Sequence, residues 1–119
     1  MAELQVEDGE LHLHLSLGEK AAGVHGDLRV PLSSVRSVEV LDDAHGPVDH
    51  GIKIGERVPG MVEVGTVLLS GEKIFAAVHH NTPRGVRVVL DGSSYAEWVV
   101  GCADPESVVA QLGLPGPAH

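Results

Sequence analysis

Val6-Glu7-Asp8-Gly9-Glu10-Leu11-His12-Leu13-His14-Leu15-Ser16-Leu17 is the stretch whose reading decides the fold class. From residue 11 to residue 17 apolar and polar side chains alternate without a break. Leu11, Leu13, Leu15 and Leu17 fall on one side; His12, His14 and Ser16 fall on the other. A period of two belongs to a β-strand with one buried face and one wet face. The Asp8-Gly9 pair ahead of it is a hairpin signal, because glycine accepts a positive φ at no steric cost.

Outward from this stretch, the chain reads as short strands separated by turn signals, the all-β pattern. Residues 18–26 break the alternation, and Glu19-Lys20-Ala21-Ala22-Gly23 could form a short helical turn. Leu28-Arg29-Val30 resumes extended structure, Pro31-Leu32-Ser33-Ser34 is a turn, and Val35–Leu41 is a strand with Val38 and Val40 on one face. Residues 42–51 form a polar loop. A glycine-rich stretch follows, in which Arg57-Val58-Pro59-Gly60 reads as a turn. Val62–Leu69 and residues 74–79 form a hairpin around Ser70-Gly71. After a turn at residues 81–85, residues 86–90 and 95–102 are two further strands, joined by Asp91-Gly92-Ser93-Ser94. The strands at 62–69 and 74–78 are apolar on both faces. Their outer face must be covered, either by the C-terminal helix or by a second copy of the chain in a homodimer built through the sheet.

The last segment changes character. Asp104 is a good N-cap, Pro105 suits the first helical position, and Glu106 favours the positive end of the helix dipole. Val108, Val109 and Leu112 form one apolar stripe. Gly113 can take the left-handed stop, with Pro115 preventing continuation. A helix of roughly two turns holds its shape only by docking that stripe on the sheet.

Size and composition agree with a single β domain spanning residues 1–119. The 119 residues fit one domain, and 43% hydrophobic content excludes a disordered chain. Aromatics reach only 3%, namely Phe75, Tyr95 and Trp98, so valine fills the core, and its branched Cβ suits a pleated sheet. The excess of valine over isoleucine and of arginine over lysine, with many Gly and Ala residues, points to a GC-rich bacterial genome. The formal charge of −9 repels nucleic acid and anionic membrane, both of which require lysine or arginine at phosphate. The basic residues are scattered, with no two adjacent. Cys102 is the sole cysteine, so no intramolecular disulfide forms. The first residues lack the basic-then-apolar order of a signal peptide, and no run reaches the ~20 apolar residues of a membrane span. The expected location is the cytoplasm.

A meander of about seven strands closed by one C-terminal helix resembles the pleckstrin-homology-like (PH-like) antiparallel barrel. Val30-Pro31-Leu32-Ser33-Ser34-Val35-Arg36-Ser37-Val38-Glu39-Val40 resembles the turn-then-strand segment of bacterial PH-like domains. The order Gly55…Pro59-Gly60…Gly65-Thr66, Phe75-Ala76-Ala77-Val78, Val86-Arg87-Val88-Val89-Leu90 and Asp104-Pro105-Glu106 resembles a family of small uncharacterised proteins from GC-rich bacteria. The resemblance covers nearly the whole chain and implies a PH-like fold; it brings no activity with it. Phosphoinositide binding in PH domains depends on a basic cluster after the first strand. Glu7-Asp8-Gly9-Glu10 and Gly18-Glu19-Lys20, the corresponding segments, are not basic, which argues against headgroup binding.

Several clusters could carry chemistry. Asp42, Asp43, His45, Asp49 and His50 offer metal-ligating side chains, but their spacing matches no defined site and glycine and proline punctuate them like a solvated loop. His12 and His14 share a strand face and could supply two metal ligands, with a third to come from elsewhere; the plainer reading is a wet strand face. His79 and His80 point to opposite faces. Ser33, Ser34, Ser93 and Ser94 sit in turns with no nucleophile elbow. Cys102 precedes the helix N-terminus, where a thiol pKa can fall, although a small filler under the helix accounts for it as well. Gly71-Glu72-Lys73-Ile74 lacks the spacing of a phosphate loop. Protonating all eight histidines would bring the formal net charge from −9 to −1, so a pH response in solubility or assembly is expected.

The sequence therefore assigns no catalytic residue, metal site or cofactor. It favours a non-catalytic module that binds protein or peptide along a sheet edge or beside the helix, with a homodimer as one form. A small-molecule or metal-binding barrel with enzymatic activity, and a phospholipid-binding domain, are the alternatives.

Overall fold

The structure is a computed structural model that describes residues 3–14, 28–44, 52–54, 57–58, 62–69, 71–79, 82–92 and 95–113. Asp8 (φ 51°) and Gly9 (φ 76°) both adopt the left-handed region, as a two-residue hairpin turn between twisted strands demands. They join β1 (Glu3–Glu7) to β2 (Glu10–His14) in antiparallel register, with Glu7 opposite Glu10, Gln5 opposite His12 and Glu3 opposite His14. β3 (Leu28–Pro31) pairs with the other edge of β2 and completes a three-stranded sheet. Leu11, Leu13 and Val30 point inward and are buried.

A 3-10 turn at Leu32–Ser34 carries the chain from this sheet to the next. The Leu32 amide donates to the Gly9 carbonyl at 3.0 Å and ties the turn back to the first hairpin. The second sheet has seven strands: β4 (Val35–Leu41), β5 (Ile52–Ile54), β6 (Arg57–Val58), β7 (Val62–Leu69), β8 (Glu72–His79), β9 (Gly85–Leu90) and β10 (Glu97–Gly101). Their order across the sheet is β4-β9-β10-β8-β7-β5, with β6 also paired to β7. The short strands β5 and β6 lie within the glycine-rich stretch read as turn and loop. Arg57 and Val58 pair with Glu63 and Val62; Pro59 and Gly60, the rest of the expected turn, lie outside the described residues.

The antiparallel barrel expected from the sequence gives way to two sheets, with no closed barrel among the described residues. The meander fails at more than one place: β4 pairs with β9 rather than with β5, and β10 sits out of chain order. β10 lies between β8 and β9, parallel to β8 and antiparallel to β9. The reason is burial. Residues 74–78 of β8 and 98–101 of β10 are buried on both faces, and a strand with no wet face is stable only at the centre of a covered sheet. β10 therefore displaces β9 from the place beside β8 that chain order would favour.

One face of the large sheet packs on the small sheet. Phe75, Ala77, Val86, Val88, Leu90, Trp98 and Val100 meet Leu11, Leu13 and Val30 in the main core. Phe75 meets Tyr95 edge-on at 5.6 Å, and the Tyr95 hydroxyl bonds Thr66 Oγ1 at 2.8 Å. The opposite face carries Val67, Ile74, Ala76, Val78 and Val99, packed with Ala44 and Leu41. Those residues are buried within a single chain, so their cover requires no second copy. The same face carries an ion-pair cluster: Arg87 Nη1 donates to Glu39 at 2.8 Å, and Glu97 lies 3.5 Å from Arg87 Nε.

The helix α1 (Pro105–Leu112) matches its sequence signals. Asp104 accepts from the Ser107 amide at 3.3 Å, and Gly113 closes the helix at φ 63°. Leu112, with Val108 and Val109 beside it, docks on the main core. The helix thus closes the space between the sheets and leaves the second face to other cover. Neither it nor any other helix among the described residues is long and apolar enough to cross a membrane.

Candidate functional site

β1 forms one edge of the small sheet, and among the described residues its outer side has no strand partner. The end of β10 and helix α1 stand opposite this edge and leave a cleft of about 420 Å³. Leu4, Val100, Cys102 and Val108 form its apolar floor; Glu3, Gln5, Asp104, Ser107 and Gln111 form its polar rim. Alternation along β1 turns Leu4 inward, and Ser107 and Gln111 align on one side of α1 because they are four residues apart. Val6, on the same face of β1 as Leu4, is the large hydrophobic residue left exposed among the described residues, at 41%.

The helix end of the cleft is braced by Arg84. Its guanidinium forms a two-pronged contact with the Glu106 carboxylate, one prong at 2.8 Å, and reaches Asp42 at 3.2 Å. The Glu106 hydrogen bond is the main reason that the Arg84 pKa rises, and the same bond holds the Glu106 carboxyl below its ordinary range. The Cys102 amide donates to the Arg84 carbonyl at 3.0 Å, so one residue anchors both the helix start and the strand leading into it.

Cys102 is not an activated thiol. Burial, followed by the nearby Asp104 and Glu106 charges, pushes its pKa up to about 11. The helix N-terminus is outweighed, and the thiol stays protonated at neutral pH. Its place in the cleft floor is that of a small apolar filler.

The other sequence candidates separate clearly. His12 and His14 share the outer face of β2, their rings stacked with centroids 5.6 Å apart, and Glu7 joins them from β1. His14 Nε2 lies 3.1 Å and His12 Nδ1 3.5 Å from Glu7 Oε2. Of the acidic-histidine loop, Asp42 is engaged by Arg84 and Asp43 follows it on the surface; His45, Asp49 and His50 lie outside the described residues. His80, Ser93 and Ser94 also lie outside them. Ser33 and Ser34 belong to the 3-10 turn, and Gly71 (φ 80°) is simply the corner of the β7–β8 hairpin. Arg84 and Arg87 are each committed to carboxylates.

The cleft was not singled out from the sequence, although Ser107 and Gln111 flanking Val108 form a visible i, i+4 pair on the helix. Glu7 was missed as the third member of the histidine cluster. The Asp8-Gly9 turn contains its signal, because a two-residue hairpin fixes which residues share a face. Comparison with known proteins adds nothing to these observations: no protein-family model, curated protein or solved structure matches the chain.

Proposed function

We propose that this chain is a non-catalytic binding module whose ligand is an extended peptide with basic side chains, added along β1 and seated in the cleft beside α1. The observation that carries the reading is the juxtaposition of an unpaired strand edge with an apolar-floored cleft. An edge strand offers unpaired backbone N–H and C=O groups in a regular row, which an extended peptide can satisfy. Leu4, Val100 and Val108 give one peptide side chain an apolar seat. Glu3 and Asp104 on the rim, in a protein of net charge −9, favour lysine or arginine at the flanking positions. The helix docked after the last strand supports a distant PH-like kinship; the parallel β8–β10 pair departs from a PH meander.

A library of extended peptides of varied charge, titrated into the full chain by fluorescence anisotropy, tests the proposal. Basic peptides should bind, with backbone amide shifts by NMR concentrated at Glu3–Gln5 and Ser107–Gln111. Gln111→Arg, on the exposed rim, should weaken them at least tenfold while leaving the fold intact. Binding unaffected by that change, or shifts confined to another surface, would refute the assignment.

A further inference from the structure

The outer face of the first hairpin carries a cluster with no role in the core or the cleft. We propose that Glu7, His12 and His14 form a binding site for a single divalent transition-metal ion of the zinc type. The ligand atoms of the three side chains, two imidazole nitrogens and one carboxylate oxygen, all lie within 4.8 Å of one another. Zinc binds such atoms at roughly 2.0–2.2 Å, so ligands in a tetrahedral shell stand about 3.4 Å apart. The observed separations from Glu7 Oε2, 3.5 Å to His12 Nδ1 and 3.1 Å to His14 Nε2, bracket that value. Small rotations about the side-chain bonds bring the imidazole pair within the same shell.

The backbone holds these groups on one side. Residues 12 and 14 are two apart in a strand, and the tight Asp8-Gly9 turn sets Glu7 on the same face across the hairpin. The inward neighbours Leu11 and Leu13 are fully buried, which anchors the strand that carries both imidazoles. A second carboxylate stands behind the first. Glu10 Oε1 lies 3.7 Å from His12 Nε2, the ring nitrogen that faces away from Glu7. With Nδ1 on the metal, Nε2 carries the proton, and Glu10 is placed to accept it and orient the ring. Glu3, opposite His14, adds a further negative charge to the face; Arg29, opposite His12, is the cation set against it. Two imidazoles and a carboxylate select a borderline ion such as Zn²⁺ over the harder Mg²⁺ or Ca²⁺, which prefer oxygen alone. Three protein ligands leave a fourth position facing solvent.

The test uses the full chain, stripped with chelator and titrated with Zn²⁺ by calorimetry, and with Co²⁺ by visible absorption to read the coordination geometry. One ion per chain is expected, together with a rise in Tm that chelator reverses. Glu7→Gln, His12→Ala and His14→Ala, all on the wet face, should each weaken binding by more than about tenfold. Glu10→Gln should weaken it by about tenfold, the lower end of the effect of an outer-shell partner. The double variant His45→Ala/His50→Ala should bind as the parent does. No binding at millimolar Zn²⁺, equal affinity in the Glu7, His12 and His14 variants, or loss of binding in the His45/His50 variant would overturn the proposal.

Discussion

Replacing Gly85 by alanine should cost more stability than the same change at Gly9, Gly71, Gly92 or Gly113. Gly85 opens β9 and sits between two strands, opposite Gly101 of β10 and Leu41 of β4. Its φ lies outside the left-handed region, so alanine can adopt the backbone, and the cost is one of space alone. An added Cβ would stand 2.3 Å from the Val100 carbonyl oxygen, 3.0 Å from its carbon and 2.9 Å from the Ala44 Cβ. Carbon and oxygen ordinarily approach no closer than about 3.3 Å, so the overlap is close to 1 Å. The Val100 oxygen belongs to the main chain of the central strand and has no rotamer through which to escape. β9 must move away from β10, at the expense of the ladder joining them. Overpacking costs about 1–3 kcal/mol, and a backbone obstacle places this case at the upper end. For a chain of this length that corresponds to a fall in Tm of about 10 °C. Urea unfolding followed through the fluorescence of Trp98, the single tryptophan and 1% exposed, measures it directly. Gly92→Ala is the control. Its φ of +77° is strained for alanine, yet nothing lies within 4 Å of the new methyl, so it should lose only about 1 kcal/mol. If Gly85→Ala stays within about 0.5 kcal/mol of the parent, or proves more stable than Gly92→Ala, the close approach of β9 and β10 is wrong.

Three further outcomes follow from the electrostatics and the helix. Cys102 should resist a thiol reagent at pH 8 in the folded chain and react quickly once the chain is unfolded; rapid reaction before unfolding would contradict a buried thiol with a pKa near 11. Two carboxylates should show opposite pH signatures. Glu106 has a lowered folded pKa, so its contribution is present above the ordinary 4.5 and lost as pH falls through the folded value; Glu106→Gln should therefore destabilise at pH 7 and matter less at pH 3. Glu97 has a raised folded pKa, chiefly from burial, so its ionisation works against folding above that value; Glu97→Gln should compare more favourably with the parent at pH 7 than at pH 4, as thermal melts at the two pH values will show. Asp104→Ala, which removes the side-chain cap from the Ser107 amide, should cost about 1 kcal/mol in urea unfolding, and no loss would mean that the cap is not formed.

Local chemistry made much of this readable. The Asp8-Gly9 hairpin, the alternation that buries Leu11 and Leu13, and the helix with its Asp104 and Gly113 caps all depend on residues within a few positions of one another. The same locality accounts for the histidine pair, since residues 12 and 14 share a face in any strand. What could not be read was non-local. Hairpin preference accounts for the β1-β2-β3 and β7-β8 pairings, but β4 pairs with β9 and β10 enters between β8 and β9, and no turn signal encodes either step. The apolar second faces of β7 and β8 suggested either the helix or another copy as cover. The helix went instead to the main core, and the cover came from within the chain.

The alternation, turn residues and caps of the sequence settle most of the strands, though not β5 and β6, and the helix at Pro105–Leu112. They act through φ/ψ preferences and side-chain direction over a few residues. The packing of two sheets settles the rest: the central place of Trp98-Val99-Val100, the open edge of β1 beside α1, and the upward shift of the Cys102 pKa. Burial and electrostatic fields are sums over neighbours distant in the chain, so these properties exist only once the strands have been assembled.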